Sequence, residues 1–266
     1  MKKRILALLL GVFLLCTFFA QALPVASAAE VTDSGSCGEN LTWTLDTDGL
    51  LTISGTGEMK NYINAPWNGL VDKINCVVIR NGVTSIGDSA FFDCTGLTSI
   101  TIPDSVTSID SWAFYDCSGL TSATIGNSVS SIAYSAFNSC GSLASITIPD
   151  SVTKIDGRAF FRCSSLTSVT VGNSVRSIEN HAFAECTSLT SISIPNSVTK
   201  IDEDAFSGCN LKKVYFNGSA KQWQSILIIN GNGSLTSATR FYYSEMKPTK
   251  YGNYWHYDEN GNIKEW

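Results

Sequence analysis

Histidine is almost missing from this chain: of its 266 residues only His181 and His256 are histidines, and they lie far apart in the sequence. A Ser-His-Asp triad and most catalytic zinc sites need histidine, so the usual basis for hydrolytic or zinc chemistry is missing. No acidic segment has the ligand spacing of a calcium loop. We therefore expect no catalytic residue, no metal site and no cofactor, and we predict that the protein is not an enzyme.

Positive charge is also scarce. Beyond the first 28 residues, 15 Lys and Arg face 23 Asp and Glu, a net charge of −8. Nucleic acids and anionic membrane surfaces need a basic face on their partner. This composition therefore predicts no nucleic-acid partner and no binding to an anionic membrane.

Long apolar runs are limited to one, Ile5 to Ala20. It follows three basic residues, Lys2 to Arg4, and precedes the small-residue sequence Ala26-Ser27-Ala28. This order is typical of a cleaved secretory signal peptide, which we place at residues 1–28. We expect an extracellular or cell-surface protein with no transmembrane anchor after cleavage, since no second run approaches spanning length.

What the chain has in abundance is a repeated phrase that ends in cysteine. An Ala-Phe pair lies just before each of six cysteines spaced 23 residues apart, Cys94, Cys117, Cys140, Cys163, Cys186 and Cys209. A fixed period of this length is typical of a solenoid, in which each repeat forms one coil stacked on its neighbours.

Each coil has the pattern of a strand followed by turns. In the coil that starts at Leu97, Ile100, Thr101 and Ile102 alternate between apolar and polar, as in a half-buried strand. Pro103-Asp104 then predicts a turn, and Ala113-Phe114 a short helical or 3₁₀ turn. Seven such strands predict one parallel sheet roughly 30 Å long.

The flanks predict caps that close the open ends of the solenoid. The alternating runs Leu41 to Leu45 and Leu50 to Ser54 read as a hairpin within an N-terminal β cap at residues 29–72. The repeats occupy 73–216, and a C-terminal cap at 217–244 contains a short amphipathic helix around Trp223. For the tail, 245–266, the sequence pattern predicts no particular structure.

The repeat L-x-x-I-x-I-P-x-S-V-x-x-I-x-x-x-A-F-x-x-C, found over residues 74 to about 216, resembles the leucine-rich repeats of BspA-like bacterial surface proteins. The resemblance implies a leucine-rich-repeat solenoid, mostly β, in a secreted or surface protein that binds host or bacterial macromolecules. The ligand class, protein or glycan, stays open, and a monomer is favoured. A structural or self-associating envelope component is the alternative. An extracellular hydrolase using Asp104 and Asp150 is weaker, because turn chemistry explains both residues.

Two interpretations of the cysteines remain open. The six repeat cysteines are expected inside the coils, as a ladder of small buried thiols. Cys37 and Cys76 lie outside that ladder, and a Cys37–Cys76 disulfide could tie the cap to the solenoid in an exported protein.

The predicted ligand face is the outward side of the sheet. It carries a polar array with no charged or aromatic side chain, and the candidate residues are Thr98, Thr101, Thr121, Thr124, Thr147, Thr167, Thr170 and Thr190. Larger residues that differ between coils fall on the opposite, convex side and form a rival candidate: Phe92, Trp112, Tyr115, Tyr134 and Phe161.

Overall fold

The structure is a computed structural model that describes residues 29–266. The predicted signal peptide, 1–28, lies outside the described residues. Within 29–266, no helix combines the length and the apolar character needed to cross a membrane.

The repeats form the predicted parallel sheet. Seven repeat strands lie side by side, β5 (Cys76–Ile79), β7 (Ser99–Thr101), β9 (Ser122–Thr124), β11 (Ser145–Thr147), β13 (Ser168–Thr170), β15 (Ser191–Pro195) and β17 (Lys213–Asn217). Equivalent residues pair across coils, so that Thr101 lies beside Thr124 and Thr147 beside Thr170. This first sheet confirms the predicted leucine-rich-repeat solenoid.

A second parallel sheet lines another side of the coils, and the sequence pattern did not predict it. Its eight strands are β4 (Gly57–Glu58), β6 (Val83–Ile86), β8 (Ser108–Ile109), β10 (Ser131–Ile132), β12 (Lys154–Ile155), β14 (Ser177–Ile178), β16 (Lys200–Ile201) and β18 (Leu227–Ile228). Most are two residues long, too short to produce an alternating pattern.

Tight turns make up the third side of each coil, which we call the turn-side face. It comprises residues 88–93, 111–116, 134–139, 157–162, 180–185 and 203–208. Its backbone pairs with the next coil: Phe91 N donates to Ala113 O at 2.8 Å, and Asp93 N to Tyr115 O at 2.8 Å. Hydrogen bonds therefore join neighbouring coils on all three sides.

The core is a stack of six buried phenylalanines. Phe91, Phe114, Phe137, Phe160, Phe183 and Phe206 follow one another with ring centroids 5.0–5.5 Å apart. Trp67 continues the stack at its N-terminal end, 5.6 Å from Phe91, and its Nε1 donates to Ala90 O at 2.8 Å. One coil cannot bury its own ring, so the stack depends on contacts between coils.

The repeat cysteines are inward-facing, as expected, and five of them are fully buried. Their thiols also make a specific contact. Cys117 Sγ donates to Phe91 O at 3.1 Å and Cys140 Sγ to Phe114 O at 3.2 Å, and the contact recurs at Cys163, Cys186 and Cys209. A thiol suits this position because it is small and apolar, yet it can donate to the carbonyl of the preceding coil.

The N-terminal end is covered by β1 (Val31–Ser36), β2 (Leu41–Asp46) and β3 (Leu50–Gly55), which extend the first sheet. β1, β2 and β3 are antiparallel, and β3 pairs in parallel with the first repeat strand. A 3₁₀ helix, Asn68–Lys73, leads into the repeats. The predicted β cap is thus part of the fold.

The C-terminal end is covered by helix α1 (Ala220–Gln224), helix α2 (Gly233–Ser237) and strand β19 (Thr239–Tyr243). Ser219 and Gln222 form a capping box at the start of α1, and Trp223 is buried against Phe216 at a ring distance of 5.3 Å. The short helix cap around Trp223 is therefore present.

The tail adds β20 (Tyr254–Tyr257) and β21 (Ile263–Glu265), an antiparallel hairpin attached to β19. Trp255 is fully buried, and its Nε1 donates to Phe216 O at 3.0 Å. Glu265 accepts from Lys213 and from the Tyr215 hydroxyl, each at 2.6 Å. The hairpin is therefore packed against the last repeat strand.

Candidate binding surfaces

All eight threonines of the predicted ligand face are exposed. Four of them lie in strands of the first sheet, Thr101, Thr124, Thr147 and Thr170, and the other four directly precede such strands, Thr98, Thr121, Thr167 and Thr190. We call all eight the hydroxyl face. Thr101 and Thr124 are register partners, and so are Thr147 and Thr170, which aligns the hydroxyls in a column. Strand spacing sets about 4.8 Å between neighbours in such a column.

Part of this polar array has a structural role. Thr121 Oγ1 donates to Thr98 O at 2.9 Å, and Thr167 Oγ1 donates to Ala144 O at 3.1 Å. These hydroxyls satisfy carbonyl groups of the preceding coil, so their protons are not available to a ligand. At these two positions the hydroxyl face offers an oxygen acceptor and a methyl group.

The tail hairpin covers the C-terminal end of the same sheet face. Tyr215 of β17 is the register partner of Ser193 of β15, and its ring contacts Trp255 with centroids 6.0 Å apart. The Tyr257 side chain lies close to that of Ser193. The hydroxyl face is therefore open over its first coils and partly covered at its last ones.

The turn-side face brings four of the rival residues together in two neighbouring pairs. The rings of Phe92 and Tyr115 stack with centroids 4.9 Å apart, and those of Trp112 and Tyr134 meet edge to face at 5.7 Å. Phe92 is 40% exposed and Trp112 39%, which is high for side chains of this size. Aromatic groups thus lie at the surface over three adjacent coils.

Carboxylates border this aromatic cluster. Asp93 and Asp116 occupy equivalent positions in the first two of these coils, directly after Phe92 and Tyr115. Burial, together with the neighbouring Asp93 carboxylate, raises the pKa of Asp116. Since two like charges one coil apart repel each other, this edge of the face favours a cationic group.

The fifth rival residue, Phe161, lies in the coil that follows Tyr134, among basic side chains. The guanidinium carbons of Arg158 and Arg162 lie 5.7 Å and 5.1 Å from the centroid of its ring. His181 is 3.7 Å from Asp204 in the following coils. The turn-side face therefore carries an acidic aromatic region and, further along the chain, a basic one.

Several large residues on this face have a backbone conformation that does not suit them. Trp112, Arg158 and His181 have φ of 55°, 56° and 57°, in the left-handed region. Gly, Asn and Asp adopt that region at lower cost, and Asp204 fills the equivalent position in a later coil with φ 54°. The coil geometry alone therefore does not explain these side chains.

The structure does not bring Cys37 and Cys76 together. Cys37 precedes Leu41, which pairs with Gly55, whereas Cys76 pairs with Leu50 at the other end of β3. About five residues of strand, or roughly 16 Å, lie between these positions, well beyond disulfide reach. Cys37 is a buried free thiol, and burial raises its pKa to about 11.

A metal site or a hydrolase centre would depend on the carboxylates and other possible ligand groups of the chain. Within 29–266, no cluster of three or more His, Cys, Asp and Glu side chains could hold a metal ion. Asp104 Oδ1 and Asp150 Oδ1 accept from Asn127 N at 2.6 Å and Asn173 N at 2.7 Å. The carboxylates considered for a hydrolase therefore join the turns of adjacent coils.

Sequence reasoning identified the exposed threonines and aromatics but missed their surroundings. The acidic pair Asp93 and Asp116, and the arginines around Phe161, were not singled out. Aligning the coils at their 23-residue period would have placed these residues in neighbouring columns, since the period fixes which side chains stack.

The comparison with known proteins agrees with this architecture. A family model, described as the BspA type leucine rich repeat region, matches six copies over residues 70–184 and 113–232. No curated protein matches the chain.

Solved structures of bacterial leucine-rich repeat proteins resemble it, and two of them illustrate the likeness. A leucine rich cell surface protein from Faecalibacterium prausnitzii A2-165 is 27% identical, with a TM-score of 0.57; the match covers 88% of this chain and 61% of that protein. The leucine rich repeat protein TpLRR of T. pallidum shares the fold at 24% identity, with a TM-score of 0.52, over 66% of this chain and 89% of its own. The family match covers more than half of the chain, which therefore belongs to the BspA-type leucine-rich repeat family.

Proposed function

We propose that this is a secreted or cell-surface binding protein that recognises a host or bacterial macromolecule through its turn-side face. The observation that carries the proposal is the set of large side chains at left-handed backbone positions of this face, the exposed Trp112 and Arg158 and the half-buried His181. The scaffold would be served at lower cost there by Asp, as at position 204, so the identity of these side chains points to a surface role.

A protein is favoured over a glycan as the ligand. Trp, Tyr, Phe and Arg are the residues enriched where proteins bind each other. The parallel rings of Phe92 and Tyr115 cover one face of each other at 4.9 Å. A flat sugar therefore finds less open ring surface here than on a free aromatic platform, while ring edges and the Trp112 indole remain open to side chains of a partner.

The hydroxyl face is the competing surface, and it supports recognition less well. It consists of threonines and therefore offers a ligand no charged or aromatic side chain. Two of its hydroxyls, those of Thr121 and Thr167, donate to backbone carbonyls. Its regular array is consistent with strand propensity and solubility.

The test is capture of a ligand from host mucus, matrix and bacterial-surface extracts by mature protein, with and without residues 245–266. The affinity of the captured ligand is then compared between the unchanged protein, the double variant Phe92→Ser/Trp112→Ser and the matched control Thr101→Ala/Thr147→Ala. We expect the aromatic double variant to lose most binding, at least about tenfold, since interface aromatics contribute about 2 kcal/mol or more each.

Equal binding by both variants, or loss only in the threonine variant, would show that the turn-side face is not the recognition surface. The absence of any captured partner, combined with tight retention in washed cell envelopes, would favour a structural envelope component.

A further inference from the structure

A cavity of about 520 Å³ lies where the N-terminal cap meets the second sheet. Its polar lining comes from the cap and from the first two full coils, and includes Glu39, Glu58, Lys60, Ser85, Ser108 and Asp110. The volume is within the range of about 300–1,000 Å³ that is typical of small-ligand sites.

The lining has an excess of negative charge. Glu39, Glu58 and Asp110 face one ammonium, Lys60, and none of these four residues belongs to an ion pair among the described residues. Burial raises the pKa of Asp110, and the carboxylates of Asp88 and Glu58 add to the effect against an opposing hydrogen bond from Ser108. A cation in the cavity would relieve this repulsion.

Two other coils place a lysine ammonium beside the carboxylate at the position of Asp110. Two coils further on, the positions of Ser108 and Asp110 are filled by Lys154 and Asp156, whose Nζ and Oδ2 lie 3.4 Å apart. The same pair recurs at Lys200 and Asp202, at 2.7 Å. The coil of Asp110 thus keeps the carboxylate of the pair and lacks its ammonium.

A hydroxyl that opens into the cavity supplies a second, independent observation. Ser85 lines the cavity and is only 7% exposed, and its hydroxyl pairs with no other group in the described part of the chain. Its oxygen is not enclosed by the protein, so it is available to a group bound in the cavity. Ser85 is the register partner of both Glu58 and Ser108, so it lies between the carboxylates of the cavity.

We propose that this cavity binds an alkylammonium group, either a free primary amine or a lysine side chain of a partner protein. The ammonium donates to the Asp110 carboxylate and to the Ser85 hydroxyl, in the place that a lysine of the chain occupies in the coils of Asp156 and Asp202. Glu39 and Glu58 add attraction at the mouth of the cavity.

The test is titration of mature protein with n-butylammonium and, as a neutral match, n-butanol, followed by NMR chemical shifts. A second pair of probes, an acetylated Gly-Lys-Gly peptide and its norleucine counterpart, distinguishes the two sources of the ammonium. Stronger binding of the butylammonium indicates a free amine, and stronger binding of the lysine peptide indicates a protein partner; either result supports the proposal.

The charge requirement is tested with Asp110→Asn, matched to Asp156→Asn in the equivalent position two coils away. Because a hydrogen bond to a charged group is involved, Asp110→Asn is expected to weaken binding at least about tenfold, with no change for Asp156→Asn. Folding of each variant is checked by circular dichroism.

Ser108→Lys gives an independent test by restoring the lysine that the other coils carry. The new ammonium would pair with Asp110 as Lys154 pairs with Asp156, and would exclude added amine. The proposal is overturned if neither cationic probe binds better than its neutral match, or if Asp110→Asn and Asp156→Asn weaken binding equally.

Discussion

Replacing Asn232 with alanine should destabilise the solenoid from its C-terminal end. In the preceding coil, Phe183 N donates to Ala205 O of the next coil at 2.8 Å. Phe206 is the last phenylalanine of the stack. Its N–H donates to the Asn232 Oδ1 atom at 3.0 Å, where the N–H of Phe183 donates to a backbone carbonyl. The Asn232 amide nitrogen also donates to Asp202 O at 2.8 Å and to Ile229 O at 2.9 Å.

The expected loss follows from these contacts. Asn232 is 3% exposed and Phe206 is fully buried, so truncation leaves the Phe206 N–H without an acceptor away from water. An orphaned buried donor costs about 1–3 kcal/mol, and each of the two other hydrogen bonds contributes about 1 kcal/mol. The free energy of unfolding should therefore fall by about 3–5 kcal/mol.

The assay is urea unfolding followed by tryptophan fluorescence, with amide hydrogen exchange to locate the effect. In the Asn232→Ala variant, the Phe206 N–H should exchange faster than the amides of the central coils, since repeat arrays lose structure from a destabilised end. Asn230→Ala is the matched control, because Asn230 is exposed and two residues away; it should change stability by no more than about 0.5 kcal/mol. Similar losses in both variants would refute the capping role of Asn232.

Three further predictions concern the core. Trp67→Ala should lower the free energy of unfolding by about 3–5 kcal/mol in urea titrations, because it removes the buried end of the ring stack; a loss below about 1 kcal/mol would contradict that role. Cys94, Cys117, Cys140, Cys163 and Cys186 are buried, so a thiol reagent at pH 8 should label them only after denaturation, and rapid labelling of native protein would disprove the buried ladder. Burial raises the pKa of Cys163 from 9.0 to about 12. Between these values the unfolded chain releases thiol protons that the folded chain keeps, so stability should fall as pH rises above about 9. The melting temperature should therefore be lower at pH 10 than at pH 7. Cys163→Ala should reduce this difference in melting temperature, and an unchanged difference would contradict the contribution of Cys163.

The coils could be predicted because their signals are local and periodic. Ile100, Thr101 and Ile102 alternate within one strand, and the Ala-Phe pair and cysteine return at a constant interval. The inward position of the cysteines followed from the same period. Their hydrogen bonds to phenylalanine carbonyls could not, since these depend on how one coil sits against the preceding one.

The tail and the C-terminal cap depend on contacts between residues far apart in sequence. Trp255 donates to a carbonyl 39 residues away, and Asn232 accepts from an amide 26 residues away. Asn232-Gly233-Ser234 has the Asn-x-Ser pattern of a glycosylation acceptor, but Asn232 is buried and its side-chain amide is hydrogen-bonded within the cap. No local pattern distinguishes these roles.

The repeat pattern predicted which residues lie on the candidate surfaces. Their hydrogen bonds and backbone angles could be seen only in the structure. The eight threonines are exposed as expected, but the sequence could not tell that the Thr121 and Thr167 hydroxyls bind the preceding coil. The strain that distinguishes Trp112 and Arg158 is a property of backbone angles, which residue type alone does not reveal.

The most direct test of recognition by the turn-side face is a hydrogen-exchange footprint of the protein bound to its captured ligand. We predict that the ligand slows exchange at residues 88–93 and 111–116, while residues 98–101 and 121–124 exchange as in the free protein. Protection confined to 98–101 and 121–124, on the hydroxyl face, would contradict the account.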